Sequence, residues 1–210
     1  MPSLLERLLG DGDTDEGIDL QKREDEAHEA LQNRITPETY GIDDCAVTGV
    51  AVVNEGPDEE PITVPIARFS LGEDVESPDL DLVWELASEA IRAMQPAFEE
   101  VFVRHYDVQF TFDGDELFEA EECRRMAVTP ELADRLVSET GFDAAAFKSA
   151  MLEADDIDDR VAPVAWGECV DYSASGNAAV VTGAAAAAAG ASAAGASCAG
   201  AGAAGGAGGC

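Results

Sequence analysis

An excess of 32 negative charges over 210 residues restricts this chain to folds that keep nearly every carboxylate in water, because an unpaired buried charge is too costly to carry in numbers. Forty-four Asp and Glu stand against 12 Lys and Arg, and only Lys22 and Lys148 are lysines. Charge on this scale repels itself in the compact state. The Debye length is about 8 Å at ordinary ionic strength and falls to about 3 Å near 1 M salt, where most of the repulsion is gone. The same charge argues against nonspecific nucleic-acid binding, which needs a basic surface to replace phosphate counterions, and against docking on an anionic membrane. A hydrophobic content of 46% counts against an acidic disordered chain, although an Ala-rich tail inflates the figure.

In bulk composition over residues 1–171 the chain resembles cytoplasmic proteins of extremely halophilic archaea. That resemblance implies a habitat, a salty cytoplasm in which dense carboxylates hold water, and implies no activity. Met1–Leu9 offers too short an apolar run for a secretory signal before the sequence turns acidic. Five cysteines without tight pairs form neither a disulfide framework nor a C-x-x-C zinc signature. They read as mostly reduced intracellular thiols, and the expected location is cytoplasmic.

Charge divides the chain into three zones. Residues 1–36 carry ten acids and four bases, residues 37–171 carry 34 and eight, and residues 172–210 carry none. In the first zone Leu4, Leu5, Leu8 and Leu9 share one face over two helical turns before Gly10. A helix so short needs a surface to pack on, so these leucines are candidates for docking a protein partner. Residues 18–34 read as a second, highly charged helix with sparse apolar positions.

The middle zone, 37–171, reads as an α+β core: a small, mostly antiparallel sheet covered on one face by helices. Strands are expected over 45–54, 62–71 and 101–112, and a last one within 161–170. Ser77-Pro78, Thr129-Pro130 and Asp143 start helices, and the apolar set from Leu80 to Met94 recurs at 3.6-residue spacing. Asp113-Gly114 signals a hairpin that returns through Leu117-Phe118. The third zone is a low-complexity tail. Its last 28 residues are 15 Ala, nine Gly, two Ser and two Cys, a composition that suits a disordered coil better than a membrane span. Cys210 does not fit the C-a-a-X lipidation pattern.

Four sets of residues could carry chemistry. Asp11 to Asp19 imitates a calcium loop, but Glu16 replaces the needed Gly and Lys22 the needed Glu, so it reads as an acidic linker. Cys45, His105, Cys123 and Cys169 are zinc-type ligands, and free cysteines are equally good small core residues. His105 and Asp107 point the same way on one strand, where a pair would raise the histidine pKa. With Asp113, Asp115 and the carboxylates up to 122 they are candidates for magnesium-assisted catalysis. Arg124-Arg125 would either clamp an anion or pair internally with Glu121 and Glu122. No catalytic constellation closes. The expected function is therefore a non-enzymatic interaction or regulatory module, with a metal-dependent hydrolase or nuclease built on residues 105–122 as the alternative.

Overall fold

A computed structural model of the chain describes residues 18–56, 59–113, 122–154, 163–172 and 179–181. Helix α1 spans Leu20–Arg34 and a single turn, α2, spans Pro37–Tyr40. Strands β1 (Asp44–Glu55) and β2 (Pro61–Ser70) precede helix α3 (Leu80–Ala97), and β3 (Tyr106–Phe112) and β4 (Glu122–Val128) follow it. Helices α4 (Pro130–Ser138) and α5 (Ala144–Glu153) then lead to β5 (Val164–Glu168) and β6 (Ala179–Val181).

The six strands form one sheet in the order β5-β4-β3-β2-β1-β6. All neighbours are antiparallel except β2 and β3, which run parallel. The sheet is therefore mixed and larger than the small, mostly antiparallel one expected from the sequence. The reason is α3. A strand that reaches the next position through a helix returns in the same direction, so the β2–α3–β3 unit makes a parallel pair at the centre.

Local chemistry explains the elements. Asp79 caps α3 by accepting from the Asp81 amide at 2.9 Å, and Asp143 caps α5 by accepting from Ala145 and Ala146 at 3.1 and 3.0 Å. Pro130 occupies the first turn of α4 behind the Thr129 cap. Gly41 closes α2 in the left-handed region, φ 66°, which a residue without Cβ adopts at no steric cost. In β1 a bulge between Val47 and Gly49 resets the side-chain alternation. Cys45 and Val47 before it, and Val50 and Val52 after it, thus all join the helix-covered core.

That core lies between one sheet face and the helices. Phe69 stacks on Phe110 at 5.3 Å, and Trp84 meets Phe147 edge-on at 5.9 Å, tying α3 to α5. The charged helix is part of this packing, although the charge zones break at 36/37. Leu20, Glu24, Ala27 and Leu31 are buried along one seam of α1. Small Ala27 lets the helix approach closely, and ion pairs Arg34–Glu89 (2.8 Å) and Arg23–Glu100 (2.7 Å) set α1 antiparallel to α3. The uncharged zone also contributes: Tyr172 is buried and Ala179–Val181 pairs with β1. Among the described residues no helix is long and apolar enough to cross a membrane. Residues 182–210, and with them the expected disordered tail, lie outside the described residues.

Candidate functional site

The sheet face turned away from the helices carries a buried polar network. Strand alternation dictates its members. Tyr106, Val108 and Phe110 face the helices, which leaves His105, Asp107 and Gln109 on the other side. The β3–β4 register sets Gln109 opposite Arg125 and Asp107 one step away. Arg125 Nη1 donates to Asp107 Oδ2 at 3.1 Å. The Tyr172 hydroxyl donates to the same oxygen at 2.6 Å. The hydroxyl oxygen lies 3.2 Å from Arg125 Nη1 and 3.0 Å from His105 Nε2. Arg125 Nε also donates to the Glu168 carbonyl at 3.0 Å, stitching the network to β5. Along the same face Arg68 donates to Gln109 Oε1 at 2.7 and 3.1 Å.

This arrangement fixes the histidine. Tyr172 has one proton and spends it on Asp107, so His105 Nε2 must donate to the tyrosine oxygen. Nδ1 is then a bare acceptor, and it has no partner among the described residues. Burial, with Arg125 and Arg104 nearby, pushes His105 down to about 4. The expected direct His105–Asp107 pair, with a raised histidine pKa, does not form. The Tyr172 hydroxyl sits between the two, and after burial it is Arg125 and Arg104 that act on the imidazole, both lowering it. Burial raises the Asp107 carboxyl, against the lowering pull of Tyr172 and Arg125. Burial, and then Asp107, raise the Tyr172 phenol.

A neutral histidine makes stability pH-dependent in a definite direction. The folded pKa is depressed below the ordinary 6.5. The contribution is complete above that value and is lost as the unfolded state takes up a proton and the pH falls toward 4. At about 1.4 kcal/mol per unit the loss is about 3 kcal/mol. Between pH 7.5 and 4 the wild type should therefore lose about 3 kcal/mol of unfolding free energy relative to His105→Gln, measured by denaturant titration in molar salt. The carboxylate background cancels in that difference, and a pH-independent difference would refute the buried neutral state.

The structure separates the proposed zinc ligands. Cys123 and Cys169 are joined to each other in a disulfide, Cα–Cα 5.6 Å, and so are not the reduced thiols expected. The cause is register: extending the β4–β5 pairing Arg125↔Gly167 by one alternation sets Cys123 opposite Cys169. Cys45 lies in the helix-side core, where burial and then Asp44 push its thiol up to about 11. His105 is bound to Tyr172 on the opposite face. Of the magnesium-type candidates, Asp107 is buried in the network, Asp113 is exposed at the end of β3, and Asp115 lies outside the described residues. Among the described residues no three His, Cys, Asp or Glu side chains converge as a metal would require. Of the two arginines, Arg124 pairs with Glu122 at 2.5 Å, as an internal pairing requires, while Arg125 turns to Asp107. Leu4, Leu5, Leu8, Leu9 and the acidic loop 11–17 lie outside the described residues.

Sequence patterning does not reveal a second feature, at the end of the sheet. Phe102 is 59% exposed, and its backbone is held firmly. Its carbonyl accepts from the Thr63 amide at 2.8 Å and hydroxyl at 3.1 Å, and Arg104 N donates back to the Thr63 carbonyl at 2.8 Å. Two concavities of about 720 and 620 Å3 share Phe102, Val103, Pro130 and Glu131. The larger runs between the C-terminal end of α3 and α4 and carries the exposed Val137. The alternation from 101 to 112 placed Phe102 within a continuous strand. The regular strand starts instead at Tyr106, and the preceding segment touches β2 through the single bridge Thr63↔Val103. Comparison with protein-family models, with curated proteins and with solved structures finds no match for the chain.

Proposed function

We propose that this chain is a non-enzymatic interaction module of a high-salt medium, and that the Phe102 groove is its docking surface. One observation carries the reading: an aromatic ring stands out from a backbone fixed by three hydrogen bonds to Thr63, on a chain of net charge -32. A rigidly presented aromatic loses little conformational freedom on binding. Residues of this type dominate binding energy at interfaces, and exposed apolar surface beside concavities marks places where other molecules dock. The polar network supports the same reading from the other side of the sheet. Its hydrogen bonds are turned inward, Tyr172 covers Asp107, and His105 is too acidic to serve as a base near neutrality.

The test is capture from a concentrated-salt lysate with three full-length proteins: wild type, Phe102→Asp, and Leu152→Asp. Leu152 is 60% exposed on α5 and lines neither concavity. Wild type and Leu152→Asp should enrich the same protein, and Phe102→Asp should lose at least about tenfold of it, the scale of one interfacial hot spot. Equal capture by Phe102→Asp would end the proposal.

A further inference from the structure

We infer that the partner of the Phe102 groove presents an arginine, laid on the Phe102 ring and held by the carboxylates of Glu99 and Asp134. The inference rests on the docking reading of the groove and adds what the occupant must carry: a protein segment with an arginine among apolar side chains. Three observations point to it.

The first is a negative lining without its cation. None of the residues lining the larger concavity is Lys or Arg, while Glu99, Glu131 and Asp134 all belong to it and are exposed. Glu131 stands in the first turn of α4, where it offsets the positive end of that helix. Glu99 and Asp134 have no such counterpart. Neighbouring Glu100 takes Arg23 at 2.7 Å, but among the described residues no ion pair reaches Glu99 or Asp134. Nor does a basic residue occupy the last turn of α3, although that end of a helix is negative and ordinarily favours one.

The second is orientation. Asp134 accepts from the Gln95 side chain at 2.9 Å, a neutral donor that fixes the carboxylate and leaves its charge in place. It acts on the buried Tyr106 of the same concavity, whose phenol is raised by burial and then by Asp134. Phe102 lines that concavity too, its ring 59% exposed, and the face of an aromatic ring attracts a cation. Exposed Val137 and Pro96 supply the apolar surface around them.

The third is that the fold builds the same contact for itself. The Arg135 guanidinium lies 4.3 Å from the centre of the Phe142 ring, and its Nε donates to Glu139 at 3.1 Å. The groove holds the ring and the carboxylates of such a set and lacks the guanidinium. Arginine suits it better than lysine, because a planar, weakly hydrated fork stacks on a ring and meets a carboxylate at once.

Three blocked pentapeptides test this on the full-length protein in molar salt. Each has a leucine on either side of a central arginine, lysine or citrulline, and glycine at both ends; citrulline keeps the shape of arginine without its charge. At about 1 M salt the general attraction of a highly acidic chain is screened beyond about 3 Å, so a difference between the peptides reads direct contact. Amide chemical shifts follow binding. The arginine peptide should shift the signals of Phe102 and α4, and bind at least about fivefold tighter than the citrulline peptide and about twofold tighter than the lysine peptide. Glu99→Gln with Asp134→Asn should bring arginine and citrulline together, and Phe102→Leu should bring arginine and lysine together. All three side chains are exposed, so neither variant disturbs the core. A wild type that binds arginine no tighter than citrulline or lysine, shifts that map away from the groove, or no binding of the arginine peptide overturns the inference. If any of these occurs while Phe102→Asp still loses the captured partner, the groove docks it by apolar contact and only the arginine is wrong. If Phe102→Asp also leaves capture intact, the docking surface fails with it.

Discussion

Replacing Arg125 with Met lowers the unfolding free energy by about 3–5 kcal/mol, the cost of leaving a buried carboxylate without its cation. Asp107 is fully buried, and Arg125 is the cation that donates to it. The methionine fills space along the arginine stem and removes the charge, the Asp107 contact and the bond to the Glu168 carbonyl. Tyr172 remains as a neutral donor to Asp107 Oδ2, so the network would be left half-satisfied. A second measurement separates electrostatics from packing. Burial already raises the Asp107 carboxyl, and loss of Arg125 raises it further. Protonation then relieves the variant as the pH falls, and the deficit relative to wild type should shrink. A packing loss would stay constant with pH. Asp107→Asn should cost less than Arg125→Met, and the double variant less than the sum of the two, since the residues act as one unit. A loss below about 1 kcal/mol for Arg125→Met, the range of a surface ion pair, would mean that the network contributes little.

Much of the framework was readable because it obeys short-range rules. Thr129-Pro130 and Asp143 start helices by chemistry local to four residues, and the Leu80–Met94 periodicity needs no partner to be recognised. The parallel pairing was not readable in the same way. The order strand, helix, strand is in the sequence, but nothing local says that β3 adds beside β2. Strand β4 was expected only as the return of the Asp113-Gly114 hairpin through Leu117-Phe118, and its extent over Glu122–Val128 was not readable because Glu122-Cys123-Arg124-Arg125 lacks apolar alternation. Its outward side faces a polar network, and its pattern makes sense only once Asp107 and Gln109 stand opposite.

The site shows the same division. That His105 and Asp107 share a face follows from alternation over two residues. That a tyrosine hydroxyl separates them depends on Tyr172, 65 positions from Asp107, and the loss of charge at 172 made that residue look like the start of a tail. Arg125 had acidic neighbours in sequence, Glu121 and Glu122, and the fold gives it a buried acid 18 positions away instead. Phe102 gave no signal, because an exposed aromatic inside an alternating run looks like a core residue until the strand is seen to start four positions later.

Removing the disulfide should cost nearly as much as removing Arg125. Cys123 and Cys169 are 46 positions apart, and the entropy of closing a loop of that size corresponds to about 4 kcal/mol. The effect should be concentrated in one region. Cys169 follows β5, and three residues later Tyr172 holds Asp107, so the cross-link pins the segment that closes the polar network. With Cys123→Ser and Cys169→Ser, or after reduction by a dithiol, β5 keeps its backbone pairing with β4, while Tyr172 loses its covalent anchor. Hydrogen exchange should then rise most over 164–172 and along β4, and change little in α1 and α3, whose packing is on the other face. The Tyr172 phenol, held well above its ordinary value by burial and Asp107, should titrate closer to an ordinary tyrosine in the reduced protein, which ultraviolet absorbance follows directly. If reduction leaves both the exchange pattern and the tyrosine titration unchanged, hydrogen bonding alone holds the segment and the cross-link is incidental to it. If it shifts both, the thiol state of two cysteines decides whether Asp107 and His105 are sealed from water.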